Sequence, residues 1–246
     1  MKKILFVISA FLFLVVANAQ ETPTPKKDWS HVKLAGRAND HFMIQFGTAN
    51  WAQAIDSLSP KGSSRSFNVY VMVDKPFKSD PRFSVGIGAG LGTDHYFFTN
   101  KNINLTDQRS PLRIQEVKDT NHFNKYKLAA AYLEIPIELR FCVKPENTNK
   151  SFKGAIGVKI GMLADAHTKG KGFVDKSGAL VAGYAETFLQ KQKGKYFFNS
   201  NRIVGTLRGG YGNISLYANY QLGNLFKEGL GPTAKPYSIG LTISGL

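Results

Sequence analysis

Apolar and polar residues alternate with a period of two along most of the chain after residue 40. Such alternation places one class of side chain on each face of a β-strand. The clearest case is the third predicted strand, whose apolar members are Phe83, Val85, Ile87, Ala89 and Leu91. Eight segments follow the pattern: 42–47, 67–74, 83–92, 133–141, 155–162, 203–208, 214–222 and 237–244. The sequence therefore predicts an all-β fold of eight antiparallel strands.

The connections between these strands alternate in length. Those after the second, fourth and sixth strands are short: 75–82, 144–151 and 212–213. Those after the first, third and fifth are long: 50–65, 93–127 and 165–201. Outer-membrane barrels combine short periplasmic turns with long outer loops. We therefore expect an eight-stranded antiparallel up-and-down transmembrane β-barrel whose aliphatic face contacts lipid. The alternative, a soluble lipocalin-like barrel, would turn its apolar residues inward.

The first residues have the three-part pattern of a secretory signal. Lys2 and Lys3 precede an apolar run from Ile4 to Val16, and a small-x-small site, Ala17-Asn18-Ala19, follows it. The run is shorter than the ~20 residues that a spanning helix needs. We expect a cleaved signal peptide at 1–19, a flexible periplasmic leader at 20–39 and an outer-membrane barrel at 40–246.

The chain is strongly basic, with 32 Lys and Arg residues against 17 Asp and Glu and a formal charge of +15. Such a surface attracts nucleic acid or the phosphates of lipopolysaccharide. Export favours lipopolysaccharide and argues against nucleic acid. The predicted third outer loop holds six candidate lipid-phosphate residues: Lys169, Lys171, Lys176, Lys191, Lys193 and Lys195. We expect the protein to be a monomer. An envelope protein is a further possible partner.

Charged residues also occupy the face predicted to line the lumen. The members of this predicted lumen charge network are Glu134, Glu138, Arg140, Lys153, Lys159 and Arg208. The interior of an eight-stranded barrel is just wide enough for side chains. Opposite charges facing one another there avoid the cost of isolated buried ions. Glu134 and Glu138 would be ~13 Å apart on one strand, too far for a retaining or inverting glycosidase pair. The sequence predicts a filled lumen and no catalytic residues.

An enzyme at the outer rim is the less favoured alternative. Asp94, His95, His122 and Ser110 lie near the predicted outer ends of strands, where a lipid-modifying site would act on outer-leaflet lipid. No triad can be recognised from their spacing. The five histidines show no metal-ligand spacing, and the glycines of the third strand lack the helix that a nucleotide loop requires. We predict no metal and no cofactor.

Aromatic residues cluster at both predicted strand ends, as interfacial girdles would require. The outer set is Trp51, Tyr96, Phe97, Phe98, Phe123, Tyr126, Tyr196, Phe197, Phe198, Phe226 and Tyr237. The inner set is Phe42, Phe77, Phe83, Phe141, Phe152 and Tyr211.

The fourth predicted strand carries a resemblance to a known family. Residues 132–139 read Tyr-Leu-Glu-Ile-Pro-Ile-Glu-Leu, and residues 236–241 read Pro-Tyr-Ser-Ile-Gly-Leu. Together with the glycine-rich third strand, these segments resemble the PorT-like outer-membrane β-barrel proteins of the Bacteroidetes over roughly Asp40 to Leu246. The resemblance implies an outer-membrane barrel, for most members without a defined activity. Some relatives serve protein secretion linked to gliding motility, so an accessory subunit of such an envelope machine, contacted through the leader, is a further alternative.

Overall fold

A computed structural model describes residues 42–54, 59–109 and 111–245 of the chain. The predicted signal peptide and leader lie outside these residues. The strands are β1 (Phe42–Ala52), β2 (Arg65–Pro76), β3 (Phe83–Phe98), β4 (Lys101–Ile103), β5 (Ile114–Glu116), β6 (His122–Cys142), β7 (Phe152–Val174), β8 (Leu189–Lys193), β9 (Asn201–Tyr211), β10 (Ile214–Gln221) and β11 (Lys235–Ser244). A short 3₁₀ helix covers Thr148–Lys150. Within the described ranges, no helix has the length and apolar character needed to cross a bilayer.

Eight of these strands close into one antiparallel ring. Its order is β1, β2, β3, β6, β7, β9, β10 and β11, and β11 pairs back onto β1 from Ser244 opposite Met43 to Lys235 opposite Ala52. A closed ring leaves no unpaired edge, which is the condition for β-structure in lipid. All eight predicted strands are present, and the up-and-down antiparallel barrel is confirmed.

The two faces of the wall differ as the alternation predicts. On β10, Ile214 and Leu216 are 59% and 65% exposed, whereas Ser215 and Tyr217 are 3% and 2% exposed. The same contrast recurs on the lower part of β6, where Leu133 to Phe141 expose every second side chain. Aliphatic side chains therefore point away from the barrel. We call this outward stripe the apolar belt, and it excludes lipocalin-like packing of these strands.

Three strands continue well beyond their predicted ends. β3 runs on to Phe98, β6 begins at His122, and β7 is 23 residues long. The prediction of loops throughout 93–127 and 165–201 is therefore wrong in part. β6 and β7 stay paired from Cys142 to His122, with one register shift between Ala131 and Tyr132. This outer extension carries the wall beyond the apolar belt, and β8 adds to its edge by pairing with β7.

The interior of the outer extension is an aromatic core. Trp51 contacts the rings of Tyr96, Phe98 and Phe226, with centroid separations of 5.0, 5.6 and 5.9 Å. The prediction of an outer girdle is therefore wrong for the members buried in this core: Trp51, Tyr96, Phe98, Tyr126, Phe197, Phe198 and Phe226. On β3 the error arises because Tyr96 and Phe98 occupy even-numbered positions, and the even-numbered side chains of this strand face inward.

The inner aromatic set behaves differently. Phe42, Phe77, Phe141, Phe152 and Tyr211 are all exposed at the opposite end of the ring. Two neighbouring strands bring the rings of Phe152 and Tyr211 to 5.1 Å. These positions are those expected of a girdle at a lipid–water boundary. They mark the end of the apolar belt at the side of the short turns.

Candidate functional site

In the half of the lumen nearer the outer extension, buried polar side chains surround Glu134. Its carboxylate accepts hydrogen bonds from Arg202 Nε at 2.7 Å and from the Tyr70 hydroxyl at 2.5 Å. Arg202 also donates to Asp94 Oδ2 at 2.7 Å, and its guanidinium lies 3.7 Å from the ring centroid of Tyr132. Both carboxylates are thus bound by one buried arginine, which is the arrangement that makes buried charge tolerable.

Lys159 joins this cluster from β7. The residue is 1% exposed, and its ammonium donates to Gln45 Oε1 at 2.7 Å and to the Tyr70 hydroxyl at 3.2 Å. Since Tyr70 in turn donates to Glu134, the lysine is linked to the carboxylate through one hydroxyl. Strands from opposite parts of the ring therefore meet in one hydrogen-bonded network.

A second cluster fills the lumen nearer the short turns. Glu138 accepts hydrogen bonds from Arg140 Nε and Arg208 Nη2, both at 2.9 Å. Arg140 also reaches Asp74, with 3.5 Å between Nη1 and Oδ1. The two guanidinium groups approach one carboxylate from β6 and β9, and Arg140 also links β6 to β2 through Asp74, so the cluster ties together strands that are not neighbours in the ring.

Five of the six predicted network residues lie in these two clusters, and the sixth, Lys153, is on β7 with the same inward parity as Lys159. It is half-buried at the inner end of β7, opposite Cys142 and about 20 Å along the strand from Lys159. Arg202 and Asp94 are network members that were not predicted from the sequence. Arg202 has the same inward parity on β9 as Arg208, so the alternation contained the signal needed to find it.

Glycines on the inward face of β3 provide the space for these side chains. A Cβ atom on Gly92 would lie 2.6 Å from Glu134 Oε2 and 2.7 Å from Arg202 Nη2. One on Gly86 would lie 2.5 Å from Arg140 Nε. The glycine-rich strand is therefore explained by side-chain packing and not by nucleotide binding. The remaining polar cavity beside Glu134 and Arg202 measures about 20 Å³, the space of roughly one water molecule.

Among the described residues of the alternative enzyme site, Asp94 and His95 lie on opposite faces of the wall. Asp94 points inward to Arg202, whereas His95 is on the outward face, where its Nδ1 lies 3.3 Å from Lys127 Nζ. His122 Nδ1 contacts the backbone oxygen of Thr120 instead. Ser110 lies outside the described residues. Asp94 and His95 thus form no acid–base pair.

An acid–histidine pair that the sequence analysis missed occurs on the outward face of β7. Asp165 Oδ2 lies 2.6 Å from His167 Nδ1, and Lys193 on β8 approaches the same carboxylate at 3.8 Å. Partial burial lowers the pKa of His167, although Asp165 opposes that shift. Burial and the nearby Lys127 ammonium also lower the pKa of His95. Both imidazoles are therefore expected to be mainly neutral at pH 7.

The six candidate lipid-phosphate lysines were predicted to lie in one outer loop, and this prediction is wrong for four of them. Lys169 and Lys171 belong to β7, Lys191 and Lys193 belong to β8, and these four are therefore fixed on the wall of the outer extension. The two that lie outside strands are Lys176 and Lys195. The run of lysines resembled a solvated loop because lysine has little preference for strands. Tertiary pairing with β6 overrides that preference.

A family comparison agrees with the ring of strands. Residues 19–228 match the family described as outer membrane protein beta-barrel domain. A search of curated proteins found no match. Among solved structures, one similar chain is Ail, the attachment invasion locus protein of Yersinia pestis, in complex with the heparin analogue sucrose octasulfate. The identity is 12% and the TM-score 0.32, over 82% of this chain and 95% of that one. Because the family match spans most of the sequence, the chain belongs to the outer membrane protein beta-barrel domain family.

Proposed function

We propose that this protein is a non-enzymatic outer-membrane barrel whose basic outer wall binds the phosphate groups of outer-leaflet lipid. The observation that carries the proposal is the position of Lys169 and Lys191. Both face outward, on the same side of the wall as the apolar belt, and Lys169 lies seven residues, ~23 Å, along β7 beyond Met162 of the belt. A cation at that height meets the headgroups of the leaflet in which the barrel sits.

The lumen supports a binding role over a transport role. Glu134 and Glu138 each hold arginine side chains across it, and the aromatic core closes its outer end. An eight-stranded barrel has no room for a channel beside such side chains. A binding function is therefore expected to reside on the outer surface.

Electrostatics favours an anionic lipid as the ligand. A lysine close to an anionic membrane surface contributes about 1 kcal/mol of attraction, and the effect weakens within a Debye length. Many of the lumen charges are paired with one another, so they add little to the external field. The lysines of β7 and β8 are instead on the outward surface, where this attraction applies.

Replacing all six candidate lysines with Gln tests the proposal. Purified protein in detergent would be titrated with fluorescently labelled lipopolysaccharide at low salt, and we expect binding to weaken by at least about 100-fold. Heat-modifiable gel migration serves as the control that the variant still folds. Unchanged affinity of a folded variant would contradict the proposal.

The finer assignment to PorT-like proteins and to a secretion or gliding machine is also a proposal. It is supported only by the sequence resemblance of residues 132–139, residues 236–241 and the glycine-rich third strand. In that case the predicted leader at 20–39 would be the contact with an envelope partner. Deleting the leader tests this role, because an unchanged secretion phenotype with a correctly inserted barrel would argue against it.

A further inference from the structure

Three lysines are in register across three adjacent strands of the outer extension. Lys127 of β6 is directly opposite Lys169 of β7, and Lys169 is directly opposite Lys191 of β8. Directly opposite residues share one face of a sheet, with Cβ atoms about 4.5–5.5 Å apart. All three side chains therefore project outward side by side. We call them the lysine row.

Like charges placed directly opposite one another destabilise a sheet. The pKa of Lys127 is lowered by its partial burial and by the charges of Lys169 and Lys191. Asp165, on the same face of β7, contacts His167 and Lys193 instead. It is four residues from Lys169, ~13 Å along the strand. An external anion with several oxygens would relieve the repulsion within the lysine row.

An apolar groove lies below the lysine row on the same part of the wall, and Leu133 at its upper end is six residues, ~20 Å, along β6 from Lys127. Its volume is about 490 Å³, and its apolar lining residues are Ala89, Leu91, Leu133, Ile135, Ile160 and Met162. The β3–β6 ladder pairs up to Ile87 and resumes at Gly90, opposite the point where Pro136 cannot donate a hydrogen bond. Ala89 is the smallest outward side chain of β3 in this region. The groove thus follows from a missing ladder bond and a small residue.

We propose that the lysine row and this groove together bind one phosphorylated glycolipid of the outer leaflet. The phosphate binds Lys127, Lys169 and Lys191, and one acyl chain runs down the wall into the groove. The inference rests on the proposed function and narrows it from a basic wall to one site. The vertical order of the two parts matches that of a membrane lipid, since the cations lie beyond the belt and the groove lies within it.

A second groove on another part of the wall provides an internal comparison. It measures about 510 Å³ and is lined by Ile156, Leu207, Ala218, Tyr220 and Ile239, among others. Its upper boundary is formed by Tyr220 and Tyr237, which pair across β10 and β11. This groove has aromatic residues where the first has lysines. It is expected to contact bulk lipid without selecting a phosphate.

The test uses the full chain in detergent micelles, titrated with labelled lipopolysaccharide at fixed low salt. The variant K127Q/K169Q/K191Q is compared with K61Q/K78Q/K118Q, which removes the same charge from exposed lysines outside the strands. We expect the first to bind about 100-fold more weakly, and the second to stay within about threefold of the unmodified protein. Equal losses in both folded variants would overturn the site and leave the general role of the basic wall intact. Absence of binding by the unmodified protein would overturn both proposals.

The groove is tested by Ala89→Phe, with Ala218→Phe in the second groove as the matched control. We expect Ala89→Phe to weaken binding of intact lipopolysaccharide about tenfold, and Ala218→Phe to leave it unchanged. A deacylated phosphoglycan is expected to bind at least about tenfold more weakly than the intact lipid. If deacylated glycan and inorganic phosphate instead bind as tightly as intact lipid, the site holds free phosphate and the proposal fails.

Discussion

Replacement of Arg202 by Leu is expected to destabilise the folded barrel by about 3–5 kcal/mol, because two buried carboxylates lose their common partner. Arg202 donates to both Glu134 and Asp94 at 2.7 Å, and all three residues are buried. The free energy of unfolding would be measured by urea titration of the protein in phospholipid vesicles, with gel migration reporting the folded fraction.

Two further variants make this result interpretable. Arg65→Leu removes an exposed arginine at the outer end of β2 and should change stability by no more than about 0.5 kcal/mol. The triple variant R202L/E134Q/D94N removes the stranded charges together with the arginine, so it should recover part of the loss. An Arg202→Leu variant as stable as Arg65→Leu would show that the lumen network contributes nothing to folding.

The second large effect is expected on the outward face. Ile137 lies near the middle of the apolar belt on β6, and replacement by Arg should cost about 2–4 kcal/mol in a bilayer. Ala131→Arg, on the same face of the strand but beyond the belt, should cost only about 0–1 kcal/mol. The reason is that the hydrocarbon core offers no solvation to a guanidinium group.

The same urea titration in vesicles would compare the two arginine variants. In water, an outward Arg at either position would be harmless, because Ile137 is already 37% exposed. Equal stability of Ile137→Arg and Ala131→Arg would therefore contradict insertion of this face in lipid. A gradient of cost along β6 would support it.

Alternation alone predicted the eight ring strands and their two faces. It succeeded because each strand in the bilayer separates a uniform lipid from a polar lumen, so every second residue meets the same solvent. The inward positions of Glu134 and Glu138 followed directly from parity. The two-residue turn at Gly212 was also predicted correctly. In the structure Gly212 has a φ of 60°, a conformation that favours glycine.

The outer extension was harder to predict because its environment reverses. Beyond the belt, the outside of the wall meets water and headgroups, whereas the inside packs aromatic rings such as Tyr96 and Trp51. Polar and apolar residues therefore still alternate here. The polar residues Lys127 and Lys169 now face outward, however, and the aromatic Tyr126 faces inward. If lipid is assumed to surround the whole wall, these segments are predicted as loops and their aromatic residues as a girdle.

Contacts between strands were beyond the reach of the sequence pattern. Periodicity assigns Arg202 and Asp94 to the inward face, but it does not place them within hydrogen-bonding distance, since β3 and β9 are not neighbours in the ring. The lysine row likewise depends on the pairing of β7 with both β6 and β8. Register is set by turn geometry and cross-strand packing, which a single sequence does not specify.

Spin labelling along β10 tests most directly whether the aliphatic face of the wall contacts lipid. This strand carries no charged residue, so single cysteines from Ile214 to Gln221 can be labelled in a Cys142→Ala background without breaking the lumen network. In vesicles, oxygen accessibility should be high at 214, 216, 218 and 220 and low at 215, 217, 219 and 221. High accessibility of the first set to a water-soluble nickel reagent, with little to oxygen, would contradict the membrane assignment.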